Sequence, residues 1–376
     1  MSWGSINSDM VSEFYEAYSN RHQLAEGWKR AGKKIFGYFC NYTPEELIYS
    51  AGIIPVRIRG SAENIDLADA HLPTFCCSYM RSALDQALKG RYSYLDGVVF
   101  PKTCDMTRAL YDVWRRNIKL PYYWFLPVPG KSTDEAVEFF THELRLFKES
   151  LEGYSNQKIS DKSLKQAIRV YNESRSLVGE VYKLGLSDNH PLSGTQVFGI
   201  LLAGLIMPKE EHSAMLRKLL DSLPVPNTSR ENGTRLLVAG NNFENIELLQ
   251  TLEECGGEIV IDDLDIGTRY YGSTVDENSE PLRALAERYL RKIPCPCKHP
   301  AEPRLEHMLK LAKDYRVKGV ILVIQKYCDT HLYERPWIES RLKEEGLPVL
   351  AVEHSDTGWT GGKFKTMVQA FIEMLE

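Results

Sequence analysis

The feature that most constrains this fold is a pattern that occurs twice, in which a glycine and an apolar strand lead into Lys-x-Cys-Asp. The first copy spans 97–105 and the second spans 319–329. Two strands with the same ending predict two similar α/β halves, each directing one sulfur, Cys104 or Cys328, to a common place. A free thiol taken alone is more often a buried structural side chain. The repetition favours a shared site instead.

Cys104 is expected at the mouth of a strand-to-helix connection. The apolar run from Val98 to Phe100 ends at Pro101, and an amphipathic helical pattern follows as far as Arg116. Open α/β sheets bind ligands at such places, and the unpaired N–H groups of a helix start favour a thiolate or an anionic cluster. Cys104 is therefore a candidate ligand.

Strands and helices alternate at both ends of the chain, which is typical of βαβ units. The sequence therefore predicts an α/β fold with two parallel-sheet domains, at 1–152 and 230–376, joined by a mainly helical connecting region at 153–229. A composition break at 223–233 predicts a linker. The predicted strands are 34–40, 53–59, 98–100, 121–127, 234–240, 257–263, 319–324 and 347–353.

Two helix starts are predicted near the N-terminus. One helix is expected over 9–30. A second is expected to begin after Thr43 as its N-cap, with Pro44 at the first helical position, and to precede the strand at 53–59.

The composition excludes several classes of protein. The 376 residues carry a net charge of -5 without a basic block, so nothing points to nucleic acid. The longest apolar stretch, Val197 to Met207, is too short to span a bilayer, and no membrane partner is expected. The N-terminus lacks a secretion signal, so a cytoplasmic location is expected. Eight cysteines then argue for thiols or metal ligation rather than disulfides.

A third sulfur is expected from the pair Cys76-Cys77, which runs into a helical pattern. Adjacent cysteines cannot both point the same way, and Cys77 lies nearer the helix start. Cys77, Cys104 and Cys328 would supply three thiolates and leave a fourth position open, which suits zinc or an iron–sulfur cluster. Spacing alone does not separate these two. Ligands drawn from two domains weaken the case for structural zinc.

The other cysteines are weaker candidates. Cys295-Pro-Cys297 has a one-residue spacer, and its proline is expected to restrain the backbone from wrapping an ion. Cys255 is expected in the core. Cys40 follows a strand and is a candidate supporting or alternative ligand.

Three further motifs leave alternatives open. Asp262-Asp263 ends a strand, where carboxylates are either catalytic or cap the next turn. The glycine-rich loop at 357–362 is an anion-binding loop or a flexible turn. Gly240-Asn-Asn lacks the further glycines of a dinucleotide fingerprint. No P-loop is present, so the chain is not expected to hydrolyse ATP itself.

Several motifs resemble the 2-hydroxyacyl-CoA dehydratase and benzoyl-CoA reductase family, and they occur in the family's order over nearly the whole chain. Within it, the shorter cluster-bearing subunits of ATP-dependent benzoyl-CoA reductase are similar. The motifs are 39–57 (FCNYTPEELIYSAGIIPVR), 77–82 (CSYMRS), 96–105 (DGVVFPKTCD), 261–269 (IDDLDIGTR) and 326–329 (KYCD).

The resemblance implies a 4Fe-4S cluster held by Cys77 (or Cys76), Cys104 and Cys328 between two Rossmann-like domains. It also implies a homologous partner subunit with a second cluster, an ATP-hydrolysing activator, ferredoxin as the upstream electron donor, and an acyl-CoA substrate. Lys102 and Lys326 would lie near the cluster and offset its charge.

Three functions follow from this resemblance. The first is an iron–sulfur subunit of a benzoyl-CoA reductase, the second a subunit of a 2-hydroxyacyl-CoA dehydratase acting through a ketyl radical, and the third an electron-transfer or cluster-storage protein. The family also contains double-cubane proteins with about six ligating cysteines. The remaining cysteines, Cys40, Cys255, Cys295 and Cys297, are poorly spaced for that role.

Overall fold

A computed structural model describes residues 8–223, 233–355 and 361–376. Within these residues the chain forms two sheets of four strands each. The predicted linker at 223–233 and the loop at 357–362 lie largely outside the described residues. The strands are β1 (Lys34–Tyr38), β2 (Ile53–Arg57), β3 (Gly97–Lys102), β4 (Tyr122–Pro127), β5 (Thr234–Gly240), β6 (Gly257–Asp263), β7 (Gly319–Gln325) and β8 (Val349–His354).

The two sheets have the same topology. The first runs β2-β1-β3-β4 and the second β6-β5-β7-β8, with every pair of neighbours parallel. This confirms the predicted α/β fold with two parallel-sheet halves. In each sheet the strand order reverses between the two central strands, β1 and β3 or β5 and β7. Ligands of open α/β folds bind beyond the carboxyl ends of strands at such switch points.

The helices cover the sheets and connect the two halves. They are α1 (Ser8–Ser19), α2 (Arg21–Arg30), α3 (Glu45–Ser50), α4 (Ser78–Leu88), α5 (Asp105–Asn117), α6 (Asp134–Ser155), α7 (Asp161–Leu184), α8 (Gly194–Gly204), α9 (Lys209–Ser222), α10 (Ile246–Glu254), α11 (Thr268–Tyr271), α12 (Pro281–Arg291), α13 (Glu302–Asp314), α14 (Asp329–Glu344) and α15 (Gly361–Leu375), with a short 3-10 helix at Ala68–Ala70. Among the described residues, no helix is both long and apolar enough to cross a bilayer.

Two details of the N-terminal prediction were wrong. The predicted helix over 9–30 is two helices, because Asn20 leaves the helical conformation between α1 and α2 (φ -93°, ψ 20°). Thr43 is not the N-cap of α3, a position that Pro44 occupies. The Thr43 hydroxyl instead donates to the Phe39 carbonyl at 2.7 Å. This bond closes the turn that follows β1.

Packing ties the C-terminal part of the chain to the first sheet. Leu285 and Tyr289 of α12 are fully buried in the same hydrophobic cluster as Phe36 of β1 and Phe140 of α6. Parallel sheets need both faces covered, and α12 contributes to covering this face of the first sheet. The segment that follows α12 is thereby carried towards the carboxyl ends of β1 and β3.

Candidate cysteine-lined metal centre

A cavity of about 160 Å³ lies where the carboxyl ends of the central strands of both sheets face each other. Six of the eight cysteines line it. A single water needs only about 10–15 Å³ measured in the same way, so the cavity has room for a group of many atoms. The six lining cysteines are Cys40, Cys77, Cys104, Cys295, Cys297 and Cys328.

The three cysteines predicted as ligands hold equivalent positions. Cys77, Cys104 and Cys328 are the N-cap residues of α4, α5 and α14. In each case the backbone N–H three residues later favours the thiolate and so acts to lower the pKa of the sulfur, against the opposite effect of burial. Three helix N-termini therefore direct positive dipole ends at one cavity, an arrangement that favours an anionic group.

Cys77 and Cys328 are in direct contact across the two halves. Their hydrogen bond, together with burial, raises the pKa of Cys77 well above its usual value. The same bond lowers the pKa of Cys328 to about 5. Metal ligands must be thiolates, so binding of a metal at these two sulfurs would release the proton of their hydrogen bond.

Cys104 completes this set from the first sheet. Burial raises the pKa of the Cys104 thiol, and the nearby Thr107 hydroxyl and backbone oppose that shift. The Cys104 sulfur lies 3.2 Å from the Thr107 hydroxyl oxygen. Cys76, the alternative ligand, is buried but is not among the residues that line the cavity.

Cys255 and the two lysines that were expected near the cluster do not line the cavity. Cys255 is partly exposed, and its sulfur is 3.9 Å from the Lys365 carbonyl oxygen. Lys102 and Lys326 are exposed at their strand ends and do not line the cavity. Other cations interact with the cavity sulfurs, among them the buried Lys292 and the partly buried Lys298.

Cys295 and Cys297 are the main departure from the sequence analysis. The Lys298 N–H donates to the Cys295 carbonyl at 2.8 Å and closes a tight turn. Pro296 occupies the second position of that turn, where its fixed φ favours turn formation. The two thiols are hydrogen-bonded, which lowers the pKa of Cys295 and raises the pKa of Cys297. Pro296 was expected to restrain the backbone from wrapping an ion, and here it favours the turn in which the two sulfurs are in contact.

An ion pair at the cavity wall was also missed. Nη2 of Arg57 lies 2.5 Å from Oδ2 of Asp265, with both side chains buried. The pair joins the end of β2 to the loop after β6, and the Asn41 amide donates to the Asp265 carbonyl at 2.9 Å. Nothing in the spacing of Arg57 and Asp265 along the chain marks them as partners.

The two aspartates at the end of β6 have structural partners. Oδ1 of Asp262 accepts backbone N–H groups from Leu264 at 3.0 Å and Thr268 at 2.9 Å. Asp263 is fully buried and accepts from Arg304 at 3.2 Å. Of the two roles considered for this pair, capping and ion pairing account for these contacts.

The donor set and the size of the cavity fit a multi-atom metal–sulfur group. In the described parts of the chain, no three Cys, His, Asp or Glu side chains are arranged to hold one metal ion. Sulfur ligands of one zinc ion must all lie about 2.3 Å from it. Sulfurs distributed around a large cavity, beside helix N-termini, instead fit an iron–sulfur cluster.

Fold and site together define a two-sheet α/β protein with a cysteine-lined cavity at paired switch points. The sequence profile of the 2-hydroxyglutaryl-CoA dehydratase D-component family matches residues 40–375. The chain belongs to this family. Its curated relatives are components of dehydratases and reductases.

Three curated relatives show that the family includes both reductase and dehydratase subunits. The chain is 29% identical to a benzoyl-CoA reductase subunit of Thauera aromatica, over 88% of this chain and 89% of that protein. It is 28% identical to the (R)-phenyllactyl-CoA dehydratase beta subunit of Clostridium sporogenes, over 98% and 100%. It is 25% identical to the beta subunit of (R)-2-hydroxyglutaryl-CoA dehydratase of Acidaminococcus fermentans, over 98% and 99%. Each of the three is named as a subunit.

Proposed function

We propose that this chain is an iron–sulfur subunit of an ATP-dependent benzoyl-CoA or similar aromatic acyl-CoA reductase. The observation that carries the proposal is the presence of Cys77, Cys104 and Cys328 in one cavity between the two halves. These three sulfurs would hold a 4Fe-4S cluster and leave its fourth position without a cysteine of this set. The similarity to a benzoyl-CoA reductase subunit supports the choice of reaction.

When bound, such a cluster supplies single electrons at low potential. The residues of the chain have other tasks. The N-termini of α4, α5 and α14 stabilise negative charge at the cavity. Met80 and Met106 line it with apolar surface, which excludes water and strengthens electrostatic interactions inside. An acyl-CoA thioester would be reduced beside this cavity.

The proposal includes partners. The curated relatives are named as subunits, which supports a homologous partner subunit. The sequence contains no phosphate-binding P-loop motif. ATP hydrolysis would therefore come from a separate activator. Ferredoxin would supply the electrons upstream.

A second function is supported by the share of this chain that aligns with each relative. The two dehydratase beta subunits align over 98% of this chain, whereas the reductase subunit aligns over 88%. The second candidate is therefore a subunit of a 2-hydroxyacyl-CoA dehydratase. It would use the same three sulfurs and the same kind of partner and activator.

Product analysis separates the two candidates. The chain is combined without oxygen with its partner subunit, activator, ATP and a low-potential donor, and benzoyl-CoA and (R)-phenyllactyl-CoA are supplied in turn. Mass spectrometry is expected to show benzoyl-CoA gaining two hydrogens, with the activity lost in Cys104→Ala and kept in Cys255→Ala. Loss of water from phenyllactyl-CoA without benzoyl-CoA reduction would replace the first candidate by the second. Turnover of neither substrate would contradict both.

A further inference from the structure

The Gly240-Asn-Asn motif at the end of β5 has no part in the function proposed above. Its two asparagines, Asn241 and Asn242, line the same cavity as the three sulfurs that would hold the cluster. Their side chains are buried, with exposed fractions of only 7% and 8%. Because β5 is a central strand of the second sheet, both lie at the switch point beside which such folds bind ligands.

The close approach of β5 to β7 fixes the backbone from which the two asparagines project. At Gly240 an added Cβ would lie 1.9 Å from the Val323 carbonyl oxygen, so no other residue type fits there. The N–H of Asn241 donates to the same carbonyl at 3.3 Å. The pairing of the two strands therefore continues up to the asparagines and holds them at the cavity wall.

Each side-chain amide is oriented by a hydrogen bond to its oxygen. Oδ1 of Asn241 accepts from the backbone N–H of Gln325 at 2.8 Å, and Oδ1 of Asn242 accepts from Nη1 of Arg59. Since protein donors occupy both oxygens, the opposite end of each amide carries its two N–H groups. Nδ2 of Asn242 is buried and has no hydrogen-bond partner in the described part of the chain. A buried donor left without an acceptor destabilises a fold, so this amide indicates that a bound group supplies the acceptor.

The two arginines nearest to these amides are neutralised by carboxylates. Nε of Arg59 lies 3.0 Å from Oε1 of Glu244, and Nη2 of Arg57 lies 2.5 Å from Oδ2 of Asp265. What the asparagines present to the cavity is therefore a neutral hydrogen-bond donor. A free cation would stabilise the added electron of a reduced cluster more strongly than a neutral amide does. That stronger effect would oppose the low potential that the proposed reaction needs.

We propose that Asn242, held in place beside Asn241, donates a hydrogen bond from its side-chain amide to a sulfur of the bound cluster and thereby sets the reduction potential of that cluster. Cluster sulfurs carry negative charge and accept hydrogen bonds. The bond is stronger in the reduced state, which carries one more electron, so the amide makes reduction easier. The inference rests on the proposed function because it requires the cluster to be bound.

The test measures the midpoint potential of the cluster by EPR-monitored titration of anaerobically reconstituted protein. Asn242→Asp keeps the oxygen that accepts from Arg59 but replaces the donor by a second oxygen, and Asn242→Ala removes the donor without adding charge. Reduction is expected to be about tenfold less favourable in both, a shift of about 59 mV to lower potential for a one-electron couple. Asn245→Ser is the matched control, because Asn245 caps α10 and does not line the cavity. It is expected to have the wild-type potential, and all three variants are expected to bind as much iron as wild type.

An isotope label tests the contact in the unsubstituted protein, in case the variants fail to fold. Wild type labelled with ¹⁵N in its asparagine side-chain amides is expected to show a ¹⁵N coupling to the reduced cluster in pulsed EPR. A reduced cluster without this coupling, or wild-type potentials in both Asn242 variants, would overturn the inference and leave the proposed function intact. A wild-type protein that takes up no iron would contradict the proposed function itself, and the inference with it.

Discussion

The side-chain amide of Gln325 donates a hydrogen bond to the Ser78 hydroxyl at 2.7 Å. The backbone N–H of Ser78 in turn donates to the Lys326 carbonyl at 3.2 Å. Gln325 ends β7 and Ser78 begins α4, so these two bonds join the halves of the molecule next to Cys328 and Cys77. The approach of the two sulfurs is therefore fixed by neighbouring polar contacts as well as by the sulfurs themselves.

Ser78→Ala removes the hydroxyl that accepts from the Gln325 amide, and with it one buried hydrogen bond between the two halves. We expect a loss of about 0.5–1.5 kcal/mol in the free energy of unfolding and a several-fold faster release of cluster iron to a chelator. The exposed Ser132→Ala serves as control. Iron release at the wild-type rate would show that this contact does not position Cys77 and Cys328.

Asp265→Asn is expected to destabilise the protein by about 3–5 kcal/mol, because it leaves the Arg57 guanidinium buried without its counter-charge. Arg57→Met combined with Asp265→Asn should cost much less than the two separate changes added together. Urea unfolding of the single and double variants measures this coupling. If the losses of the two single variants simply add up to the loss of the double variant, Arg57 and Asp265 do not stabilise the fold through their mutual interaction.

Gly240→Ala tests the close approach of β5 and β7, the strands that lead to the cavity from the second sheet. Gly240 has a φ of 147°, and an added Cβ would lie 1.9 Å from the Val323 carbonyl oxygen. We expect a loss of about 3 kcal/mol or more in unfolding free energy. Gly153→Ala, on α6 with nothing within 4 Å of the added Cβ, should instead be neutral or stabilising by about 0.5–1 kcal/mol. Equal effects at the two positions would contradict this account.

His212 predicts a pH dependence of stability. Burial lowers the pKa of its imidazole to about 3, and the charge of Lys209 adds to this effect. The unfolded chain, with a histidine pKa of about 6.5, binds the proton first. Stability is therefore full above pH 6.5 and falls as the pH is lowered towards 3, with a loss of about 2 kcal/mol from this group at pH 5.

His212→Gln removes this titration. The difference in unfolding free energy between pH 7 and pH 5, measured with urea on metal-free protein, should shrink by about 2 kcal/mol. The exposed His142→Gln should leave the difference unchanged. An unaltered pH dependence in His212→Gln would assign the acid sensitivity to other groups.

The fold was predictable because both sheets are built from short apolar strands that end in recognisable turns. The repeated Lys-x-Cys-Asp pattern also placed Cys104 and Cys328 at equivalent strand ends. Sequence spacing could not place Cys295 and Cys297, because their position depends on α12 packing against the first sheet. Pro296 was considered only as a restraint against wrapping an ion, whereas its fixed φ also favours the tight turn seen at 295–298. The Arg57–Asp265 pair is a tertiary contact without a local signal.

The measurement that tests the central claim most directly is the iron, sulfide and zinc content of protein purified without oxygen, together with a reduced-state EPR spectrum. Wild type is compared with Cys104→Ala, Cys328→Ala and the control Cys255→Ala. The account predicts at least about four irons and as many sulfides per chain in wild type and in Cys255→Ala, with about four lost in each of the other two variants. One zinc without iron, or metal content unaffected by Cys104→Ala and Cys328→Ala, would contradict it.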